Sequence, residues 1–396
     1  MTSTLSVESK ARLVDGILSK GRVNGLTHNF YRYPARFSPD FVRAMLKEFS
    51  KPGDLIYDPF MGGGTTLVEA AALGRHSIGT DISSLAAFIS QVKTATYTNT
   101  QLANVEAWIN LVVPMLTVVT DVPASAEWIR KDYQRNINDK DTWRIRKLLE
   151  IGLDAVDLLD TSSERKLARC ILLKTGQWAL DCRAEIPSTS SFQQQIQLNG
   201  SEVIAAAQDF SETMRQHLPK PKVLCLHRSA IGVEDEKRLR SVGIPKLILT
   251  SPPYPGLHVL YHRWQVRGRR ETAAPFWIAG TLDGDGASFY TFGDRKQSGL
   301  EKYFENVRLA FRSIQALADN TTMVVQMVAF SEPEWQLPRY LEAMSEAGFK
   351  EQKMSISSSD SEGRMWRSVP GRKWYASQMG ATGGSREVVL FHKKRS

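Results

Sequence analysis

The segment from Leu55 to Asp81 constrains the fold of this chain more than any other feature. An apolar run, Leu55-Ile56-Tyr57, predicts a strand, and glycines occupy positions 62 to 64 shortly after it. The residues that follow predict a helix that stops at Gly74. A second strand is predicted from His76 to Thr80. A strand, a helix and a strand in this order indicate a parallel βαβ unit, the building block of α/β sheets.

The acidic residue Asp81 follows the second predicted strand, roughly 20 residues beyond the glycine turn. A carboxylate at this place can accept hydrogen bonds from both ribose hydroxyls of a nucleoside cofactor. Glycines let the backbone approach such a ligand because they have no Cβ atom. The dinucleotide pattern G-x-G-x-x-G is not present, because Thr65 and Thr66 follow Gly64 and no third glycine comes. The segment therefore predicts a nucleoside site without the NAD fingerprint.

A second motif, Ser251-Pro252-Pro253-Tyr254, comes after the apolar run Leu247-Ile248-Leu249 and Thr250. This order puts a hydrogen-bonding side chain, a stiff bend and an aromatic ring at the carboxyl end of a predicted strand. Ligands of open α/β sheets bind at that end. The tetrad is therefore placed where a ligand would bind.

Both motifs resemble those of the S-adenosylmethionine-dependent DNA methyltransferases that methylate exocyclic amino groups of bases. The stretch Asp58-Pro59-Phe60-Met61-Gly62-Gly63-Gly64-Thr65-Thr66 is similar to the cofactor loop of that family, and the tetrad to its catalytic motif. The resemblance implies that Asp58 and the turn face the methionine end of the cofactor, and that Asp81 holds its ribose. The cofactor-binding residues implied by these motifs are Asp58, Pro59, Phe60, Gly62, Gly64, Thr65, Thr66 and Asp81.

A third match is Tyr31-Arg32-Tyr33-Pro34-Ala35-Arg36-Phe37-Ser38-Pro39. Family members often carry Tyr-Pro-Ala-Lys/Arg-Phe here, packed against the methionine moiety of the cofactor. The resemblance thus adds Tyr33, Pro34, Ala35 and Phe37 to the cofactor site. The alternative is an aromatic segment that only covers the sheet.

The resemblance covers residues 28 to 90 and 222 to 396 well, and the stretch between them poorly. Family members often place an acidic residue against the cofactor adenine after the third strand. This chain has His227-Arg228-Ser229 there, so the adenine contact stays unassigned.

The chemistry implied for the tetrad is activation of an amine. Hydrogen bonds from the amine protons to the Ser251 side chain and the Pro252 carbonyl would localise the nitrogen lone pair. Pro252 and Pro253 would fix φ and hold that carbonyl in place. Tyr254 would stack on a base flipped out of the duplex. Methylation at carbon 5 needs a cysteine nucleophile, and none of Cys170, Cys182 and Cys225 lies in such a turn. The cysteines and the rest of the sequence indicate no metal site.

Members with serine in the first position of the tetrad are mostly cytosine-N4 enzymes, and those with aspartate are mostly adenine-N6 enzymes. We therefore expect a DNA methyltransferase acting on cytosine N4, with adenine N6 as the alternative. RNA or protein-glutamine methylation, or a catalytically silent binding module, are further alternatives. The enzyme would be the modification half of a restriction-modification system, partnered by an endonuclease, or an orphan.

Alternating strands and helices predict an α/β Rossmann-like methyltransferase fold. We expect a mostly parallel seven-stranded sheet with an antiparallel edge, plus a helical insertion. Residues 1–91 would form a cap and the cofactor half, 92–220 the insertion and a possible target-recognition region, and 221–396 the catalytic half. Further strands are predicted at 222–226, 246–249, 321–328 and 387–392, the last paired with one near 349–356. Helices are predicted at 39–49, 102–119, 141–159, 163–181 and 201–218.

The formal net charge is +9 and the isoelectric point about 9.4, which is consistent with a polyanionic partner. Arginines interleaved with aromatic rings follow the tetrad and recur near the C-terminus, where they suit contact with double-stranded DNA. The alternative is a pair of solvated basic loops. The predicted DNA-binding residues are Arg263, Arg267, Arg269, Arg270, Arg367, Arg372 and Lys373. The N-terminus has no apolar run typical of a signal peptide, so a cytoplasmic protein is expected.

Overall fold

The computed structural model describes residues 5–19, 21, 23–33, 36–120, 128, 132–255, 262–268, 270–284, 290–293, 297–357, 362–368 and 386–395. A single eight-stranded sheet lies at the centre, with a separate two-stranded hairpin beside it. The strands are β1 Leu55–Asp58, β2 His76–Asp81, β3 Val223–His227, β4 Leu247–Thr250, β5 Trp264–Val266, β6 Arg270–Thr272, β7 Met323–Phe330, β8 Phe349–Glu351, β9 Met365–Ser368 and β10 Arg386–Lys394.

Helices surround the sheet and fill the stretch before β3. They are α1 Val7–Leu18, α2 Pro39–Phe49, α3 Thr65–Ala72, α4 Ser84–Thr94, α5 Asn99–Met115, α6 Trp143–Asp154, α7 Ser162–Leu180, α8 Thr189–Arg215, α9 Lys237–Arg240, α10 Ala274–Ala279, α11 Gln297–Gln315 and α12 Pro333–Glu346.

The strand order of the large sheet is β3-β2-β1-β4-β7-β10-β8, and β9 pairs with β10. The pairs from β3 to β7 are parallel, and β10 is antiparallel to β7, β8 and β9. The chain runs outward from β1 to β3 and then returns to β4 on the other side of β1, so the strand order reverses between β1 and β4. Ligands bind at such a switch point, outside the carboxyl ends of the strands. The predicted fold is confirmed, although the sheet has an eighth strand, β9.

Helices cover both faces of the sheet, and alternate residues of each strand point to opposite faces. On β1, Leu55 and Tyr57 pack with α11 and α12, whereas Ile56 packs with α1 and α2. This double coverage explains why the parallel strands read as continuous apolar runs.

The helices of residues 92–220 do not form a core of their own. Most of their apolar side chains belong to one cluster with Tyr33, with Leu85 of α4, and with Trp264 of the β5–β6 hairpin, whereas Phe210 and Met214 pack against α3. The division of the chain into three regions stays a prediction, but this helical layer packs directly beside the cofactor half.

The predicted element boundaries agree best where apolar residues are dense. α2 begins at Pro39 and ends at Phe49, as predicted, and the antiparallel pair of β8 and β10 is present. α8 begins at Thr189, whereas the prediction started it at residue 201. The first turns after its N-cap, Ser188, carry few apolar residues, so the apolar spacing did not reveal them. The β5–β6 hairpin was not predicted. Within the described ranges, no helix has the length and apolar character that crossing a membrane requires.

Candidate active site

The glycine turn after β1 is tied directly to the end of β2. The Gly62 amide donates a 2.9 Å hydrogen bond to Asp81 Oδ2, and the Met61 amide donates to the Thr80 carbonyl at 3.0 Å. Gly62 and Gly64 have φ angles of 46° and 73°, in the left-handed region that favours glycine. The sequence folds into this turn because only glycines adopt these angles without strain.

The Asp81 carboxylate is partly exposed at the carboxyl edge of the sheet. Its Oδ1 accepts the Ser83 amide at 2.8 Å, and its Oδ2 accepts the Gly62 amide. Burial raises the pKa of Asp81 above its ordinary value, although hydrogen bonds from these two amides oppose the rise. Each carboxylate oxygen has about two acceptor sites, so both oxygens keep capacity for further donors such as ribose hydroxyls.

The two sequence motifs meet at the ends of β1 and β4. Thr250 Oγ1 donates a 2.7 Å hydrogen bond to Asp58 Oδ1, which also accepts the Phe60 amide at 3.2 Å. Asp58 is buried, and burial raises its pKa to about 6. Asp58 therefore joins the glycine turn to the strand that carries the tetrad.

The tetrad follows β4 and is held from two sides. Ser251 Oγ lies 3.1 Å from the Met327 carbonyl oxygen and 3.1 Å from the Tyr254 hydroxyl. The Pro253 carbonyl accepts a 2.8 Å hydrogen bond from the buried Tyr303 hydroxyl. Tyr254 borders the same apolar cluster as Phe60 of the glycine turn, so the structure places the predicted catalytic and cofactor residues against one cluster.

The Tyr254 hydroxyl donates to Glu387 Oε1 at 2.9 Å. Glu387 Oε2 in turn accepts from Arg367 Nε at 2.8 Å, and both charged side chains are buried. Arg367 was predicted to contact DNA. In the structure its guanidinium faces inward, so it is not placed to meet a phosphate. Glu387 was not predicted as a site residue, although it is the only acid in the basic segment that begins at Gly363.

The N-terminal motif divides between two places. Tyr33 lies against the glycine turn, since a methyl group at Gly63 would come within 2.7 Å of Tyr33 Cβ. The Tyr33 hydroxyl lies 3.2 Å from His262 Nδ1, and burial lowers the pKa of His262 to about 4. Phe37 packs instead with Phe41 in the core under α1 and α2. The predicted contacts Pro34 and Ala35 lie outside the described residues.

A buried lysine supports the glycine turn from α4. Lys93 Nζ donates a 2.8 Å hydrogen bond to the Gly63 carbonyl. The side chain is fully buried, and burial, with a smaller contribution from Arg36, lowers the pKa of Lys93 to about 7. Sequence reasoning missed Lys93, because a lysine side chain is expected to be solvated.

Three of the predicted DNA-binding arginines are held in ion pairs beside the helical layer. Arg263 pairs with Asp283 at 2.7 Å, Arg270 with Asp139 at 2.8 Å, and Arg267 with Asp141. Arg267 and Arg270 stay largely exposed in these pairs. The predicted contacts Arg269, Arg372 and Lys373 lie outside the described residues.

A cavity of about 560 Å³ opens between the helical layer and the β5–β6 hairpin, and its lining is polar. Among the residues that the structure describes, His, Cys, Asp and Glu do not gather in a group of three or more that could hold a metal ion.

Comparison with known proteins places the glycine turn and its flanking elements in a family. Residues 10–91 match the family model described as a DNA methylase of the N6 and N4 type. This segment is therefore similar to the amino-methyltransferase family. The predicted family is thereby confirmed, and it implies S-adenosylmethionine as the methyl donor.

The matched relatives agree with this assignment. The chain is 41% identical over 81 residues to the Type II methyltransferase M.MjaII of Methanocaldococcus jannaschii, a match covering 20% of this chain and 15% of that protein. It is 47% identical over 60 residues to the Type II methyltransferase M.BsoBI of Geobacillus stearothermophilus, covering 15% and 12%. These matches thus span about an eighth to a seventh of the relatives' lengths.

Among solved structures, the rRNA methyltransferase aviRa of Streptomyces viridochromogenes is 10% identical, with a TM-score of 0.38 over 92% of this chain and 89% of that one.

The residues around the glycine turn fit the methyl donor. Asp81 is partly exposed and keeps free acceptor capacity on both oxygens. The backbone at Gly63 leaves no space for a Cβ atom beside Tyr33, so ring and turn are in close contact. Asp81 and the turn would hold the donor, which supplies an electrophilic methyl group when bound.

Proposed function

We propose that the chain transfers a methyl group from S-adenosylmethionine to the exocyclic amine of a base in double-stranded DNA, with cytosine N4 as the preferred target. The observation that carries this proposal is the hydrogen bond between Thr250 and Asp58. It joins the strand of the Ser-Pro-Pro-Tyr tetrad to the glycine turn at the switch point of the sheet. Catalysis here is the positioning of an amine beside a methyl group.

Ser251 is arranged to accept a hydrogen bond from the amine. Either the Met327 carbonyl or the Tyr254 hydroxyl oxygen, each 3.1 Å away, takes the single hydroxyl proton of Ser251. The lone pairs of Ser251 Oγ then remain for a substrate N–H group. With the Pro252 carbonyl as a second acceptor, the amine nitrogen becomes more tetrahedral and its lone pair is freed from the ring. Ser251 accepts a hydrogen bond in this scheme and does not abstract a proton.

The base must leave the duplex to reach the tetrad, because an exocyclic amine within a stacked pair is out of reach. Tyr254 supplies the stacking surface for that base, and this residue is only partly buried. Serine in the first position of the tetrad supports cytosine as the base, by resemblance to family members with that residue. Adenine N6 is the alternative target.

The polyanionic partner is supported by the net charge of +9 and by the exposed arginines Arg267 and Arg270 of the β5–β6 hairpin, of which Arg270 lines the cavity. The names of the two relatives support a Type II system, in which an endonuclease of the same specificity would accompany this chain. An RNA or a protein-glutamine substrate is a less favoured alternative, since the family model that matches is that of DNA methylases.

The test is expression of the chain in a host without DNA methylation, followed by mass spectrometry of the nucleosides from DNA and RNA and of the host proteins. We expect N4-methylcytosine in DNA with the wild-type chain and none with Ser251→Ala. Ser241→Ala, which alters an exposed serine of the connection before β4, is the matched control and should methylate normally.

The other outcomes separate the alternatives. N6-methyladenine alone would transfer the proposal to adenine. Methyl groups found only in RNA or protein would overturn the DNA assignment, and no methylation of any of the three would leave a binding module.

A further inference from the structure

Tyr254 is connected to a buried ion pair that the chemistry of the tetrad does not explain. The Tyr254 hydroxyl donates to Glu387 Oε1 at 2.9 Å, and Arg367 Nε donates to Glu387 Oε2 at 2.8 Å. Arg367 Nη1 also donates to the Ile17 carbonyl at 3.0 Å. One chain of contacts therefore runs from the catalytic loop, through the C-terminal hairpin, to the end of α1.

Glu387 and Arg367 are only 6% and 9% exposed, so both charges are largely removed from water. Desolvating an ion pair costs free energy that the attraction between its members often fails to recover. Glu387 and Arg367 face each other across the β9–β10 pair. The Arg367 contact uses Glu387 Oε2 and is enough to join these two strands. The hydrogen bond from Tyr254 to Oε1 is a further contact that this structural role does not explain.

The position of the Glu387 carboxylate, which accepts from Tyr254, is set by contacts that do not involve Tyr254. Arg367 is held by the Ile17 carbonyl and so holds Glu387 Oε2, which leaves Oε1 at a defined position. Tyr254 can swing away only by breaking a charge-assisted hydrogen bond, the stronger class of hydrogen bond. Burial, and next the nearby Glu387 carboxylate, raise the pKa of Tyr254 well above its ordinary value, so the hydroxyl stays a donor.

We infer that Glu387 and Arg367 are positioning residues that set the orientation of the Tyr254 ring for the target base. This inference rests on the proposed function, because it assigns the ring to base stacking. The role assigned to Arg367 replaces its predicted contact with DNA. It also makes the hairpin of β9 and β10 part of the active site, through one carboxylate.

The test compares Glu387→Gln with Tyr254→Phe, the double variant and a matched control. Tyr254→Phe keeps the stacking ring but removes the hydroxyl that Glu387 holds. The control is Glu351→Gln, because Glu351 forms a similar ion pair with Arg364 at 2.6 Å. Glu351 lies opposite His392, five residues along β10 from Glu387.

We expect Glu387→Gln and Tyr254→Phe each to lower kcat about tenfold or more, as removal of a charge-assisted hydrogen bond implies. Affinity for S-adenosylmethionine should be unchanged. The double variant should be no slower than the slower single variant, because both changes break the same hydrogen bond. Glu351→Gln should keep the wild-type kcat. A wild-type kcat for Glu387→Gln, or effects that multiply in the double variant, would reduce Glu387 to a structural contact between strands.

A second measurement keeps this result separate from the proposed function. In the full chain labelled with ¹³C at the tyrosine ζ carbon, the NMR line that disappears in Tyr254→Phe should shift in Glu387→Gln and stay in Glu351→Gln. If the wild-type chain methylated nothing but this shift occurred, the proposed function would fail and the orientation of the ring by Glu387 would stand. An unshifted line in Glu387→Gln would overturn the inference whatever the activity.

Discussion

The Gly62 amide donates a 2.9 Å hydrogen bond to Asp81 Oδ2, so the glycine turn is joined directly to the residue proposed to bind the ribose. Asp81 therefore has two roles: it holds the glycine turn between β1 and α3 through the Gly62 amide, and it offers hydrogen-bond acceptors at the edge of the sheet. A change at Asp81 acts on the cofactor directly and also through the shape of the turn.

Asp81→Ala should weaken S-adenosylmethionine binding by about 1.5 to 3 kcal/mol, because charge-assisted hydrogen bonds to the ribose are removed. Isothermal titration calorimetry measures the affinity, and circular dichroism verifies that the variant is folded. Asp209→Asn, at an exposed position of α8, is the control and should bind normally. Unchanged affinity in a folded Asp81→Ala would remove Asp81 from the cofactor site.

Lys93 should make the stability of the protein depend on pH. Burial lowers its pKa from 10.5 to about 7. Between these pH values Lys93 is protonated in the unfolded chain and largely neutral in the folded protein, so the unfolded chain binds more protons. The free energy of unfolding should then rise with pH from about 7 to about 10.5, by at most about 1.4 kcal/mol per pH unit from this group. Of its neighbours, Arg36 stays charged, and Cys170 stays neutral because burial raises its pKa to about 12.

The check is urea unfolding of wild type and Lys93→Met at several pH values in this range. The unfolding free energy of Lys93→Met should lack the Lys93-dependent increase with pH. The wild-type protein should therefore gain stability relative to this variant as pH increases. Parallel curves would mean that Lys93 keeps its proton in the folded state.

The ion pairs of Arg267 and Arg270 should compete with DNA. Replacing both arginines by alanine should lower DNA affinity and reduce the slope of log affinity against log salt by about 0.9 for each phosphate that the variant no longer neutralises. Asp139→Asn with Asp141→Asn should raise affinity, because it releases both guanidinium groups. Fluorescence anisotropy with a labelled duplex at several salt concentrations measures both quantities.

A charge-matched control is the pair Arg165→Ala and Lys166→Ala, which removes two exposed positive charges from α7. If this pair matched the effect of the Arg267 and Arg270 variant, net charge alone would explain the binding. Weaker binding by the aspartate variant would show that the ion pairs shape the DNA-facing surface instead of competing with it.

Sequence patterns predicted the elements around the two motifs because those elements are encoded locally. The apolar runs before Asp58 and Ser251 each fill a buried strand, and the glycines between β1 and α3 adopt angles that other residues avoid. The start of α8 at Thr189 was missed for the opposite reason: its first turns are polar, and the helix is held by packing at later positions.

The sequence by itself determined the α/β sheet, the glycine turn with Asp81, and the polar tetrad at a strand end, since each depends on neighbouring residues. Only the tertiary structure decided which charged side chains turn inward. Arg367 contacts Ile17, 350 positions away, and Glu387 reaches Tyr254, 133 positions away. Lys93 is buried because α4 packs beneath the glycine turn. A buried ionisable side chain needs a hydrogen-bond partner at its site, here one that is distant in sequence, and local sequence patterns do not encode such a contact.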